Sequence, residues 1–167
     1  VQAFGKLGYV FPNKRYNSLG SQWGFTRHVQ NAEIGHTLYD ASQTSLYGNW
    51  LYQSIIGDSR HKYEGGLGLR YEGYKGQLIN THYDFKEMVP GAFFEYTYFP
   101  NDFITVVGGV RLDHHKLYGW LFNPRLHLRY AASESLVFRM SGGSGMRTPL
   151  PIAENLAWLA SSRDWTI

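Results

Sequence analysis

The densest group of metal-capable side chains in this 167-residue sequence is Asp113-His114-His115. Imidazole nitrogen suits zinc or copper, which take such ligands in sets of three or four. On an extended backbone Asp113 and His115 share one face and His114 takes the other. No third ligand follows at a recognisable spacing, so the group reads as polar lining and no metal site is expected. Gly142-Gly143-Ser144-Gly145 sets a hydroxyl among glycines. It lacks the fifth-position Gly of a nucleophile elbow and the Gly-Lys-Ser/Thr ending of a phosphate loop, and reads as a flexible rim. Ser144, His115 and Asp113 hold the functional groups of a hydrolase, but no hydrolase motif relates them. No catalytic residue and no cofactor is therefore expected.

Binding chemistry is better represented. Gly73–Met88 carries Tyr74, Lys75, His82, Tyr83, Asp84 and Lys86, and His115–Leu121 carries His115, Tyr118 and Trp120. Aromatic rings stack on flat ligands and cations attract anionic ones, so both segments suit a flat, anionic metal chelate. Ordinary loop composition is the competing account of each residue taken singly. His28 and His127 read as polar lining.

Composition limits what can position these groups. Charged residues are 17%, below the roughly 25% of a soluble globular domain, while aromatics also reach 17%. That balance leans away from an ordinary cytosolic protein. The net charge is +3 with the basic residues scattered singly, so no nucleic-acid partner is expected. Cysteine is absent, which removes disulfides, thiolate metal sites and cysteine nucleophiles. No apolar run is long enough for a membrane-spanning helix. The chain opens at Val1 with neither a basic n-region nor an apolar h-region, as expected of a mature chain or an excised fragment.

Period-two alternation recurs along most of the sequence, the mark of strands whose faces meet different surroundings. From Phe103 to Asp113, Ile104, Val106, Val110 and Leu112 oppose Thr105, Arg111 and Asp113. From Lys62 to Glu72, Tyr63, Leu67, Leu69 and Tyr71 oppose Lys62, Glu64, Arg70 and Glu72. Pro124–Tyr130 and Leu136–Ser141 alternate in the same way. Gly91–Phe99 sets Phe94, Tyr96 and Tyr98 against Glu95 and Thr97. Ala3–Phe11 and Leu19–Phe25 are weaker versions, and Leu46–Ile56 is less regular. The expectation is an all-β, antiparallel up-and-down transmembrane β-barrel segment of about eight strands, forming a single domain over residues 1–167.

The prolines avoid strand interiors in this parse, as a residue without an N–H should. Pro12 and Pro100 fall in turns, Pro90 and Pro124 at strand starts, and Pro149 and Pro151 after the last strand. Pro12–Arg15, Gly57–Arg60, Pro100–Asp102 and Ala132–Glu134 are short connections, alternating with longer ones at Asn31–Thr44, Gly73–Met88 and His115–Leu121. In a meander this segregates short and long connections to opposite ends, as in outer-membrane barrels. Tyr9, Phe11, Tyr63, Tyr98, Phe103 and Tyr130 gather toward the short end, and Tyr71, Tyr74, Trp120 and Phe122 toward the long end, as two interfacial girdles would. A soluble sandwich or lipocalin-like binding barrel would bury the apolar face instead. The Tyr- and Phe-rich apolar face and the segregated connections favour lipid outside. Leu67, Leu69, Val106, Val110, Leu126, Leu128 and Phe138 are thus assigned to lipid, and Glu64, Arg70, Arg111, Arg125 and Arg139 to the lumen.

Val89–Phe99 (VPGAFFEYTYF), Pro124–Tyr130 (PRLHLRY) and Ser141–Asn155 (SGGSGMRTPLPIAEN) running into Leu159–Arg163 (LASSR) resemble the barrel of TonB-dependent outer-membrane receptors, particularly those of Bacteroidetes type. The triplet Arg147-Thr148-Pro149 is similar to the Arg-Ala-Pro or Arg-Thr-Pro element after a barrel strand in siderophore, haem and cobalamin receptors. The resemblance runs from about Gly5 to Arg163. It implies an outer-membrane receptor of a Gram-negative bacterium that binds and imports a scarce nutrient, most fittingly a metal chelate, and does no chemistry on it. It implies TonB as a partner through a plug domain, outer-membrane lipid around the barrel, and Arg147 as a ligand or plug contact. Family barrels have about 22 strands around a plug, and neither plug nor TonB box is visible here, so the chain is expected to be part of a barrel. An outer-membrane barrel enzyme and a soluble all-β ligand-binding domain are the rival readings.

Overall fold

The computed structural model describes residues 1–34, 37–78 and 81–146. Eight strands follow in chain order: β1 (Gln2–Val10), β2 (Ser18–Ile34), β3 (Thr37–Ile56), β4 (Asp58–Leu78), β5 (Thr81–Asn101), β6 (Ile104–His115), β7 (Gly119–Ala131) and β8 (Val137–Gly143). Each pairs antiparallel with the next, giving one sheet in sequential order. No helix occurs among the described residues. The all-β meander expected from alternation is present.

Register sorts the side chains into two faces, because successive residues point to opposite sides. Leu7, Ser21, Trp50, Leu67 and Ala92 form one aligned row across β1 to β5. Val110, Phe122, Leu126, Phe138 and Met140 share that face in β6 to β8. The other face carries Gln22, Asn49, Glu64, Arg70, Glu72, Glu87, Glu95, Arg111, Asp113, Arg125 and Arg139. Lipid- and lumen-assigned residues fall on opposite faces without exception. The apolar face is open: Leu67 is 63% exposed and Trp120 68%. So large an uncovered apolar surface does not face water in a stable protein. A single layer also has little interior, and among the described residues Tyr39, Tyr74 and Val89 are the buried hydrophobic ones.

The short connections are held locally. Phe11 and Asn17 close the β1–β2 turn through a backbone bond of 3.1 Å. The β3–β4 turn passes through Gly57 at φ 73°, a left-handed conformation that a Cβ disfavours. Asn101 Oδ1 accepts the backbone N–H groups of Phe103 and Ile104 at 3.0 and 2.9 Å, closing β5–β6.

The expected longer connections differ from the structure. Pairing runs on to Ile34↔Thr37 and Leu78↔Thr81, so most of Asn31–Thr44 and Gly73–Met88 is strand, and Gly119 at φ 72° closes a tight β6–β7 turn. Backbone pairing continues there whatever the side chains are. Past Tyr71 and Met88, however, the apolar face passes to Lys75, Gln77, Asp84 and Lys86, so the apolar–polar contrast that reveals a strand is lost. The hairpins β2–β3 and β4–β5 therefore project beyond the apolar band. Pro90 and Pro124 lie inside β5 and β7 rather than at strand starts. Pairing of β5 with β6 begins at Gly91, past Pro90, and pairing of β7 with β8 begins at Arg125, with the Pro124 carbonyl accepting the Ser144 N–H at 3.0 Å, so neither proline has to donate to its second neighbour.

Candidate functional site

The polar face is organised by ion pairs, most of them between strands that register brings together. Glu87 lies on β5, where it is 8% exposed, with Arg70 Nη2 at 3.5 Å from its carboxylate and His115 Nε2 at 2.8 Å. Its cross-strand partner Glu72 accepts hydrogen bonds from Gln43 Nε2 at 3.2 Å and Ser45 Oγ at 2.5 Å. Arg111 grips Asp113 at 2.8–2.9 Å, and Arg125 pairs with Glu95. Between these groups lies an open cavity of 370 Å³ lined chiefly by Gln22, Asn49, Glu64, Arg111, Asn123 and Arg125. Fixed charges of both signs around a wet space suit the guidance of a polar solute.

Past the apolar band the same face carries tyrosines. The Tyr39 and Tyr74 hydroxyls are hydrogen-bonded to each other, and the Tyr74 and Tyr83 rings are parallel with centroids 6.3 Å apart. Burial and the Tyr39 hydroxyl raise the Tyr74 phenol well above its ordinary value, and burial raises Tyr83. Tyr83 Oη is buried with no hydrogen-bond partner among the described residues. At the opposite end, hydrogen bonds from Arg60 hold the exposed Asp58 carboxyl below its ordinary value.

The sequence-predicted binding residues divide between the faces. Tyr74, Tyr83 and His115 lie on the polar face, and Tyr118 packs on His115 with ring centroids 4.7 Å apart. Lys75, His82 and Lys86 lie on the other face of the β4–β5 hairpin. There Lys75 and His82 border an open cleft of 500 Å³ with Asp40 and Asp84, and Lys86 Nζ is 3.5 Å from Asp84. Trp120 also points to the apolar side, against His114 at 4.9 Å. Asp113 and His115 share a face with His114 opposite, as expected. Arg147 lies outside the described residues. Among the described residues no group of three His, Cys, Asp or Glu is arranged to hold a metal.

Tyr74 does not join the outward aromatic girdle to which its position assigns it. It shares parity with Arg70 and Glu72, turns to the polar face and is 7% exposed. Tyr39 and Glu87 are the residues that sequence reasoning missed. Extending strict parity from Glu72 through Tyr74 would have found the face, but the partners depend on cross-strand register.

A family model described as "TonB dependent receptor-like, beta-barrel" matches residues 2–163. The crystal structure of the ferric citrate transporter FecA in the unliganded form is similar in fold, with a TM-score of 0.55 and 16% sequence identity over 85% of this chain. The match covers 27% of that structure's chain, so the sequence spans about a quarter of its length. No curated protein matches the chain.

Proposed function

Because the chain belongs to the TonB-dependent receptor β-barrel family, whose members are outer-membrane proteins of Gram-negative bacteria, we propose that it is part of the barrel wall of a nutrient-import receptor whose ligand is a metal chelate of siderophore, haem or cobalamin type. In this reading the apolar face meets lipid and the polar face lines the lumen. The projecting β2–β3 and β4–β5 hairpins reach outside the cell, and TonB acts through a plug carried elsewhere in the full-length receptor. The family is one of receptors and transporters, and the ligand passes through unaltered.

The observation that supports the ligand class is the stacked Tyr74–Tyr83 pair, backed by Tyr39, on the polar face of the projecting β4–β5 hairpin, four residues along β4 from Arg70. Rings at the mouth favour flat ligands, and Lys75 on the same hairpin adds a cation that favours anionic ones. Ferric citrate, haem and cobalamin are suitable probes. Replacing Tyr74–Lys86 by a short Gly/Ser turn in the full-length receptor should abolish binding of the recognised probe at the cell surface while the barrel still inserts. Unchanged binding would remove this hairpin from the site and leave His115, Tyr118, Trp120 and Arg147 as candidates. Surface binding is the decisive readout, because a fault in TonB coupling would stop transport alone.

A further inference from the structure

The apolar face is not smooth. Toward the end that carries the β1–β2 turn, a groove of 510 Å³ crosses β1 to β4. Register builds it from the row Leu7, Ser21, Trp50 and Leu67 and the row Tyr9, Leu19, Tyr52 and Gly65. The small side chains at Ser21 and Gly65 make the depression, and Trp50 and Leu67 wall it. The second row is nearer the β1–β2 turn, where Lys14 and Arg15 are exposed and have no carboxylate partner among the described residues.

We propose that this groove holds part of an acyl chain of an anionic glycerophospholipid from the periplasmic leaflet, whose phosphate is drawn to Lys14 and Arg15. An unfilled groove in the lipid-facing band would forfeit dispersion contacts along its walls, and a flexible alkyl chain is the component of that medium able to fill it. A phospholipid joins such a chain to a phosphate at the interface, the same order in which the groove meets the basic turn. Cations at a membrane surface favour anionic headgroups. The Tyr9 and Tyr52 rings, apolar in body and polar at the tip, suit the boundary between the two. This inference rests on the membrane orientation proposed above and not on the identity of the imported ligand.

The test uses the full-length receptor extracted in mild detergent and weighed by native mass spectrometry. Gly65→Leu fills the groove without local conflict, since a Cβ there meets only a Phe94 ring carbon at 3.5 Å and the Phe93 carbonyl oxygen at 3.6 Å. Ser21→Leu is an independent filler. Gly108→Leu is the control, on the same face but outside the groove, with nothing within 4 Å of its Cβ. The wild type and Gly108→Leu should retain phospholipid through detergent washing, and Gly65→Leu and Ser21→Leu should lose it. Phosphatidylglycerol bearing a diazirine in its acyl chain, in vesicles with phosphatidylethanolamine, should label wild-type peptides containing Leu7 and Trp50. Lys14→Ala with Arg15→Ala should abolish the preference for phosphatidylglycerol over phosphatidylethanolamine. Labelling spread evenly around the barrel, equal retention by all variants, or a second receptor chain retained in place of lipid would each overturn the proposal. Failure of the wild type to insert into vesicles would instead overturn the membrane reading itself.

Discussion

His115 and Glu87 tie the β6–β7 turn to β5: imidazole Nδ1 accepts the backbone N–H groups of Leu117 and Tyr118 at 3.0 and 3.3 Å, and Nε2 lies 2.8 Å from Glu87 Oε2. Since Nδ1 accepts, Nε2 carries the proton and donates it to the carboxylate. The ring fills two roles at once, and Tyr118 packs against it. A side chain noted in the sequence for its metal chemistry thus works as a turn anchor, holding a binding candidate at the rim.

His115→Ala should therefore loosen the turn and destabilise the barrel by about 1–3 kcal/mol, the usual cost of stranding buried polar groups. Urea unfolding of the full-length receptor in lipid measures it. Glu87→Gln keeps an amide oxygen to accept from Nε2 and should cost less than Glu87→Ala. Equal midpoints for the wild type and His115→Ala would remove the anchoring role.

The face assignment predicts a contrast between two new cations. Leu67→Arg puts a guanidinium into the lipid-facing row, where it should cost about 2–4 kcal/mol near the bilayer midplane. Gln22→Arg puts the same group on the polar face, at the cavity that also holds Glu64. Insertion should fail or slow in the first variant and proceed in the second, as read from heat-modifiable gel migration. The reverse result would invert the faces.

Two glycines of the polar face should behave oppositely. A Cβ at Gly66 would lie 2.1 Å from the Trp50 carbonyl oxygen and 2.8 Å from the Phe93 ring, so backbone as well as side chain must move. A Cβ at Gly8 meets nothing within 4 Å. Gly66→Ala should destabilise the full-length receptor by about 1–3 kcal/mol, the common range for overpacking. Gly8→Ala should leave the unfolding midpoint unchanged. Equal midpoints for the two variants would contradict the close β3–β4 approach.

The strands that alternation reveals best, β4 and β6, are those whose two faces meet the most different surroundings. There each side chain reports its own direction, so Leu67 and Arg111 were assignable from sequence. Beyond Tyr71 and Met88 both faces are polar or aromatic, and the hairpin ends read as loops although backbone pairing continues. The site was legible as residue types but not as an arrangement. Whether Tyr74 meets Tyr39, or Arg70 meets Glu87, depends on register between strands, which no single strand encodes. Lys75 and Tyr74 are neighbours in sequence and stand on opposite faces, so one list of candidate residues became two surfaces.

The tyrosines Tyr74 and Tyr83 of the β4–β5 hairpin lie past the end of the apolar band. Burial and the Tyr39 hydroxyl hold the Tyr74 phenol above its ordinary value, so ionising it is harder in the folded hairpin than in an unfolded chain, where the value is about 10. The folded state then binds the proton more tightly. The resulting stabilisation is fully present below about pH 10 and is lost as pH rises from there through the raised folded value. The hairpin should become protease-sensitive in that alkaline range, while the lipid-embedded band stays intact. Tyr74→Phe keeps the ring stacked on Tyr83, removes the ionisable group and should flatten the dependence, at the cost of the Tyr39 hydrogen bond. Limited proteolysis across alkaline pH, with tyrosinate absorbance followed in parallel, makes the comparison. If the wild type and Tyr74→Phe open at the same pH, ionisation at this position does not govern the hairpin.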